Sequence, residues 1–296
     1  MDAPSISPQV ARRLAVRAAL LEGPRPSPDK NGIMEVIRGL GSLQIDPTRA
    51  VERTHLLVLW SRLGPYDPRD LDRLRFEDRL LFEHAAFIMP TESYPEQAFA
   101  MARFATRDGA WERRVRDWMA ANDALRRSIL ERLKAEGPLP SRLFPAPPGM
   151  TNWKSSWAGG RNVPLMFEFM SLRGEILVSG REGGQRLWDL AERVVQRPLP
   201  SDAVTLEEFA DRRVRAAVRR LGLADAREIR NRVPILPTGD VRAAIDRLLI
   251  DGTIRAVTVE SDPRAEAFMP AEDLPLIEAV RDRGWRPRTT LLSPFD

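Results

Sequence analysis

An amide and a carboxylate, Gln44 and Asp46, lie two residues apart in GSLQIDPTRA (41–50), alternating with Leu43 and Ile45. In an extended strand residues i and i+2 share a face. The two polar groups are therefore expected to point one way and the two apolar side chains the other, up to the break at Pro47. A carboxylate placed like this can activate water or stabilise a developing positive charge. An amide can hold water by hydrogen bonds without adding charge. The same residues also suit an ordinary half-buried strand or a turn ahead of Pro47, and spacing alone does not choose between these roles.

Few other residues compete for the chemistry. The chain has no cysteine and two histidines, His55 and His84, which excludes disulfides, thiolate chemistry and a three-histidine zinc site. It contains no HExxH, no GxSxG elbow, no GxxxxGK[ST] loop and no GxGxxG between a strand and a helix, so the common metalloprotease, hydrolase and nucleotide-binding motifs lack support. No metal and no cofactor are expected. Lysine occurs only at Lys30, Lys134 and Lys154, so 43 of the 46 basic residues are arginine. GC-rich codon usage is the simplest source of that bias, although arginine is also well suited to phosphate contact. The net charge of +4 permits a nucleic-acid partner without demanding one.

The surrounding pattern sets what must position these groups. A chain of 296 residues suggests two or three domains, and 43% hydrophobic residues are enough for packed cores. No apolar run approaches the ~20 residues that span a bilayer. The segment MDAPSISPQVARR has no apolar stretch of a secretory signal, and a cytoplasmic location follows as an expectation. Helical periodicity covers 6–22, with Ser7 and Pro8 as N-cap and first residue, and 31–40 ahead of Gly41. The strand with Gln44 and Asp46 follows. A helix is then expected over 49–62, which would put Glu52 and His55 on one face at i, i+3 with Arg53 between them. LGPYDP breaks it, a short helix starts at Pro68, FEHAAFIMPTESYP (82–95) gathers aromatics, and 111–136 reads as an arginine-studded amphipathic helix region.

After a proline-rich boundary at 137–153, two stretches resemble each other, 162–190 and 240–270. Each has an amphipathic helix, a glycine turn (Gly174, Gly252), a β-rich run, a polar turn and a second short strand. That is the outline of a winged helix, and its recurrence points to a tandem array. The fold class expected is α+β, mostly helical, with tandem winged-helix domains and β-hairpin wings. The domains are read as 1–105, carrying Gln44 and Asp46, then 106–200 and 201–296. A winged helix can place a helix in the major groove and its hairpin on the backbone. Arg161, Asn162, Arg173, Arg181 and Arg186 around the first helix–hairpin, and Arg242, Arg247 and Arg255 around the second, are the candidates for DNA contact. Taken one at a time, each can equally be a solvated surface charge. Trp153 and Trp157 flank Lys154 and could stack on bases, but core packing is the stronger expectation.

GLGSLQIDPTRAVERTHLLVLWSRLGPYDP (39–68), followed by LFEHAAFIMPTESYP (81–95), resembles the YcaQ-like crosslink-repair DNA glycosylases, a winged-helix family. The later helix–hairpin segment and TTLLSPFD (289–296) extend the resemblance from about residue 6 to the last residue. Two departures stand out: HAAFIM replaces the aromatic-W-A-H run common in relatives, and relatives continue past SPFD, which leaves open whether the third domain is complete. The resemblance implies removal of alkylated purines, including crosslinked bases, from double-stranded DNA by a monomer. It implies a Q-x-D catalytic element, here Gln44 and Asp46, with Glu52, Arg53 and His55 as supporting groups. Hydrolysis of an N-glycosidic bond develops an oxocarbenium-like sugar that a carboxylate can stabilise, and a cationic N7-alkylguanine leaves without strong acid assistance. A lyase needs an amine for a Schiff base, and no lysine lies near 44–46. Several hairpins along the duplex would let a lesion be examined without full base flipping, which a tether to the other strand makes difficult. The alternatives are a winged-helix regulator without catalysis, for which no heptad dimerisation helix is evident, and a relative that binds DNA but has lost activity.

Overall fold

The computed structural model describes residues 3–46, 49, 51–153, 161–195, 204–281, 285, 288–293 and 296. Lys154 and Trp157, and Pro47 at the end of the motif, lie outside the described residues. The chain forms two compact units, Met1–Asp67 with Val204–Asp296, and Pro68–Ala203. Both are mostly helical with small sheets, as expected of an α+β chain.

The first unit begins with β1 (Ser5–Ile6), α1 (Pro8–Ala18), α2 (Lys30–Leu40), β2 (Leu43–Gln44) and α3 (Thr54–Leu63). Ser7 caps α1 by accepting the Val10 N–H at 3.3 Å, with Pro8 at the first position where its missing N–H costs nothing. Asp29 caps α2 through the N–H groups of Asn31 and Gly32. Gly41 ends α2 at φ 79°, a left-handed conformation that favours glycine. The remaining elements of this unit are described after the second unit, which interrupts it in sequence.

The second unit holds α4 (Pro68–Phe76), β3 (Leu81–His84), β4 (Phe87–Pro90), α5 (Tyr94–Thr106), α6 (Ala110–Ala121), α7 (Asp123–Glu136), β5 (Leu139–Pro140), α8 (Asn162–Leu172), β6 (Ile176–Glu182), β7 (Gln185–Leu190) and α9 (Ala191–Val194). Its strands run in the order β4-β3-β6-β7-β5. The hairpin β3–β4 was not read from the sequence. Its registers pair Leu81 with Pro90 and His84 with Phe87, and Phe82 meets Tyr94 edge-on at 5.4 Å. The amphipathic region at 111–136 is two helices, broken at Asn122, whose amide ties the chain to Thr151 and Trp118. The main core gathers Phe167, Phe169, Met170, Ile176 and Trp188 with Trp118 and Ile129. Trp153 packs against it, 5.0 Å from Phe169, with Arg114 over its face, so Trp153 is a core residue.

The first unit resumes with α10 (Leu206–Leu221), β8 (Ala224–Asp225), α11 (Ala226–Arg232), α12 (Thr238–Ile250), β9 (Ile254–Val259), β10 (Asp262–Pro270) and α13 (Leu276–Arg281). Capping boxes start α10 (Thr205 with Glu208) and α11 (Asp225 with Glu228), each satisfying two orphan N–H groups reciprocally. The sheet order is β1-β9-β10-β8, with β1 parallel to β9. Ile6, Val10 and Leu14 close over Val257 and Met269 together with Ile277 and Val280. In both units a short strand lies beside the return strand of a hairpin that follows a helix: β8 on β10 behind α12, and β5 on β7 behind α8. Among the described residues, no helix is long and apolar enough to cross a membrane.

Candidate functional site

Gln44 and Asp46 follow directly on the Gly41 turn. Leu43 is buried at 1% exposure, which anchors the start of the segment. Gln44 is exposed, and Ile45 and Asp46 are half-buried. The strand itself is shorter than the sequence suggested: β2 ends at Gln44, and Asp46 sits beyond regular structure. Strict period-two alternation therefore does not place the carboxylate. What remains is an anchored, partly open segment presenting an amide and a carboxylate.

The helix expected from residue 49 begins instead at Thr54, with Arg53 as its N-cap and Glu52 before it. Glu52 and Arg53 are thus loop residues, and the i, i+3 face proposed for Glu52 and His55 does not form. The loop is held by charge. Arg49 and Glu52 pair at 2.9 Å, and Glu52 also accepts the Arg53 backbone N–H at 2.9 Å. That N–H, aided by the Arg49 charge against partial burial, holds the Glu52 carboxyl below the ordinary carboxylate range. Glu52 is therefore an ionised clamp at neutral pH and unsuited to act as a proton donor. His55 enters the first turn of α3 at 5% exposure and belongs to the wall of that helix.

In the second unit the candidate DNA contacts separate by environment. Arg161 is exposed at the N-cap of α8 and makes no capping bond. Asn162 is buried; it donates to Asn152 at 2.5 Å and accepts the Trp153 N–H at 2.9 Å, so its side chain ties that loop to α8. Arg173 pairs with Glu175 at 2.9 Å. Arg181 forks onto both oxygens of Glu83 at 2.9 and 2.8 Å. Glu83 is 4% exposed and also takes a short bond from the buried Arg75. Burial pushes the Arg75 guanidinium down in proton affinity, and the Glu83 charge opposes that. Arg186 pairs with Glu168 at the surface and covers the Trp188 ring at 4.8 Å. In the first unit Arg247 is tied to Asp211 at 2.6 Å, while Arg242 and Arg255 are exposed. The Arg75–Glu83–Arg181 network was invisible in the sequence because its members come from three elements. The alternation in LFEH and FIMP was the one available signal, since it could have revealed the hairpin carrying Glu83.

No group of three or more His, Cys, Asp or Glu side chains able to hold a metal occurs among the described residues. A family model described as "DNA glycosylase AlkZ-like" matches residues 37–296, from the end of α2 through the Gln44–Asp46 segment to the last residue. The chain belongs to the AlkZ-like DNA glycosylase family. It is accordingly a DNA glycosylase, a hydrolase of N-glycosyl bonds that acts on DNA in repair. The solved Streptomyces sahachiroi DNA glycosylase AlkZ superposes with a TM-score of 0.59 at 15% identity, over 93% of this chain and 72% of that one. At that identity the likeness speaks for the fold. The AlkZ-like match takes in both the amide–carboxylate segment and SPFD at the end of the chain.

Proposed function

We propose that this AlkZ-like glycosylase is monofunctional and releases alkylated purines from duplex DNA, N7-alkylguanine and crosslinked bases among them, with Asp46 and Gln44 as its catalytic pair. The observation that carries this is the Gln44–Asp46 segment itself: anchored by buried Leu43, with its amide exposed and its carboxylate half-buried. Asp46 stabilises the oxocarbenium-like sugar or directs water at it. Gln44 positions that water or the sugar without adding charge. Glu52 and Arg53 brace the loop after the pair, and His55 supports it from α3.

The scaffold is read as three winged helices, at 1–105, 106–200 and 201–296. Support comes from one order of elements, helix, strand, helix, helix, hairpin, which runs through α2–β2–α3–α4–β3–β4 and again through α10–β8–α11–α12–β9–β10. A related order runs through α7–β5–α8–β6–β7, with a 3-10 turn at Ser141–Leu143 following β5. Arg161, exposed and without a capping bond, remains the best placed of these candidate DNA contacts; Arg173, Arg181 and Arg186 are each engaged by a glutamate, and the Arg186–Glu168 pair is the most exposed of the three. The protein acts as a monomer in the cytoplasm, at the nucleoid. The deciding assay is release of N7-methylguanine from methylated duplex DNA by purified protein. Detection of free base supports the reading, and intact methylated DNA after prolonged incubation overturns it.

A further inference from the structure

The arginines of α10 fall on two faces that the protein treats differently. Asp211, Arg215 and Arg219 are spaced by four and form one stripe. That stripe is balanced: Asp211 takes Arg247, Arg215 bonds Thr253, and Arg219 pairs with Glu272. Arg213 and Arg220 are two turns apart on another face. Among the described residues, Arg220 has no ion-pair partner, and the charges that act on it are Arg213 and Arg232, both positive. It keeps contact with solvent, yet its guanidinium has lost enough water to lower its proton affinity, and the two neighbouring cations lower it further.

The guanidinium also lies flat against the backbone at Gly41. A Cβ at that position would stand 1.9 Å from Arg220 Cζ and 2.0 Å from its Nε and Nη2. Position 41 favours glycine for its left-handed φ of 79°, and a Cβ there would displace the Arg220 guanidinium from its place. The same glycine leads into Leu43 and Gln44. Arg220 sits in the last turn of α10 and Arg232 in the last turn of α11. The negative ends of both helix dipoles offset part of the repulsion. They do not supply the planar, two-oxygen acceptor that an arginine fork matches.

We propose that Arg220, with Arg213 and Arg232, seats one DNA backbone phosphate on the floor made by Gly41, next to the Gln44–Asp46 segment. What Arg220 lacks is a negative charge with bidentate geometry, which a phosphodiester supplies, and Arg213 and Arg232 add positive charge beside it. A phosphate fixed here would hold the strand in register with the amide and carboxylate. The seat depends on the catalytic reading only for the position of the lesion relative to it.

The test uses the full chain and an undamaged duplex, so it needs no base release. Affinity is measured between about 50 and 200 mM salt for the wild type, Arg220→Ala, Arg232→Ala and Arg220→Lys. Removing one phosphate contact should make the log–log slope shallower by roughly 0.9, while Arg220→Lys keeps most of the slope and loses the two-oxygen geometry. Neutral methylphosphonates are then placed one at a time along the strand. One position should weaken the wild type by about tenfold and leave Arg220→Ala unaffected. Unchanged slopes in both alanine variants, or no backbone position coupled to Arg220, overturn the seat. If Arg220→Ala fails to fold, the exposed Arg232 decides through its own slope and coupling. Loss of base release in Asp46→Asn with these slopes intact would speak to the catalytic pair alone.

Discussion

Arg62 and Asp296 form a buried ion pair at 2.5 Å, although 234 residues separate them in sequence. Their side chains are 2% and 8% exposed. Arg62 also donates to Ser61 Oγ at 2.8 Å and to the Ala19 carbonyl at 3.2 Å. The aspartate of LLSPFD thus fastens the chain to α3, the helix that carries His55. Removing one partner of such a pair strands the other charge away from water. Asp296→Ala should cost roughly 3–5 kcal/mol of stability, read as a drop in the urea midpoint. An apolar pair, Arg62→Met with Asp296→Leu, should recover much of it. Unchanged stability in Asp296→Ala would remove the pair from the account of why SPFD matters.

Glu83 pairs with both Arg75 and Arg181, Asp72 adds a second, exposed carboxylate to Arg75 at 3.1 Å, and all four sit in the second unit. Glu83→Gln should therefore destabilise by roughly 3–5 kcal/mol, because Arg181 loses its carboxylate and the buried Arg75 keeps only the exposed Asp72. Arg181→Ala should lower stability more than DNA affinity. Arg186→Ala should do the reverse, since its pair with Glu168 is partly exposed and worth little to folding. Thermal melts beside salt-dependent binding separate the two, and equal stability losses in both variants would contradict the assignment.

The β3–β4 hairpin turns through Ala85 and Ala86, both at positive φ, 50° and 63°. Two-residue hairpin turns that match strand twist require this conformation, and Asn-Gly meets it with least strain. Ala85→Asn with Ala86→Gly should stabilise the protein by about 1 kcal/mol, measured by denaturation. A loss of stability would mean that the alanine methyls pack in a way that outweighs the strain.

Acid should loosen the helix starts first. The carboxyl of Asp29 is held below its ordinary value, chiefly by the Gly32 N–H, and that of Glu208 chiefly by the Thr205 N–H. A group depressed in the folded state stabilises above its unfolded pKa and loses that contribution as the pH falls through the folded value. Asp273 runs the other way, since burial raises it; its protonation on acidification favours the fold. Asp29→Ala should lower the melting temperature near neutral pH, with the difference from wild type shrinking below the carboxylate range. A difference constant down to strongly acidic pH would show that the Asp29 charge is not the stabilising element.

The legible part of the molecule was what depends on short range. Ser7 with Pro8, the Gly41 stop, Gly174 and Gly252 are local signals, and each ends or starts an element where the sequence indicated. The start of α3 was misplaced because residues 49–53 have helical apolar spacing, but the Arg49–Glu52 pair and the Glu52–Arg53 bond favour a closed loop over a helical turn. Residue type and spacing singled out Gln44 and Asp46, and only the family resemblance gave them a catalytic role; the shared strand face is not realised because the strand ends at Gln44. Arg220 over Gly41, Arg181 on Glu83 and Asp296 on Arg62 were hidden for one reason. Each joins elements far apart in sequence, and local periodicity carries no information about such partners.

The catalytic proposal turns on what replaces a proton donor. Glu52 is kept ionised beside the motif, and Lys30, Lys134 and Lys154 lie away from residues 44–46 in sequence. A cationic N7-alkylguanine needs little help to leave, so the protein's task is to stabilise the sugar cation and direct water. Asp46→Asn keeps the size of the side chain but removes its charge and turns one acceptor oxygen into a donor. It should reduce base release by roughly 3–4 kcal/mol, or two to three orders of magnitude, with DNA binding retained. Gln44→Ala should lose less, because a neutral hydrogen bond is the smaller contribution. The product should be an intact abasic strand, cut only after alkali. A labelled duplex with one N7-alkylguanine, run with and without borohydride, reads both points. A trapped covalent adduct would replace hydrolysis with an amine-dependent route, and unaltered release by Asp46→Asn would return the carboxylate to a structural role at the end of its short strand.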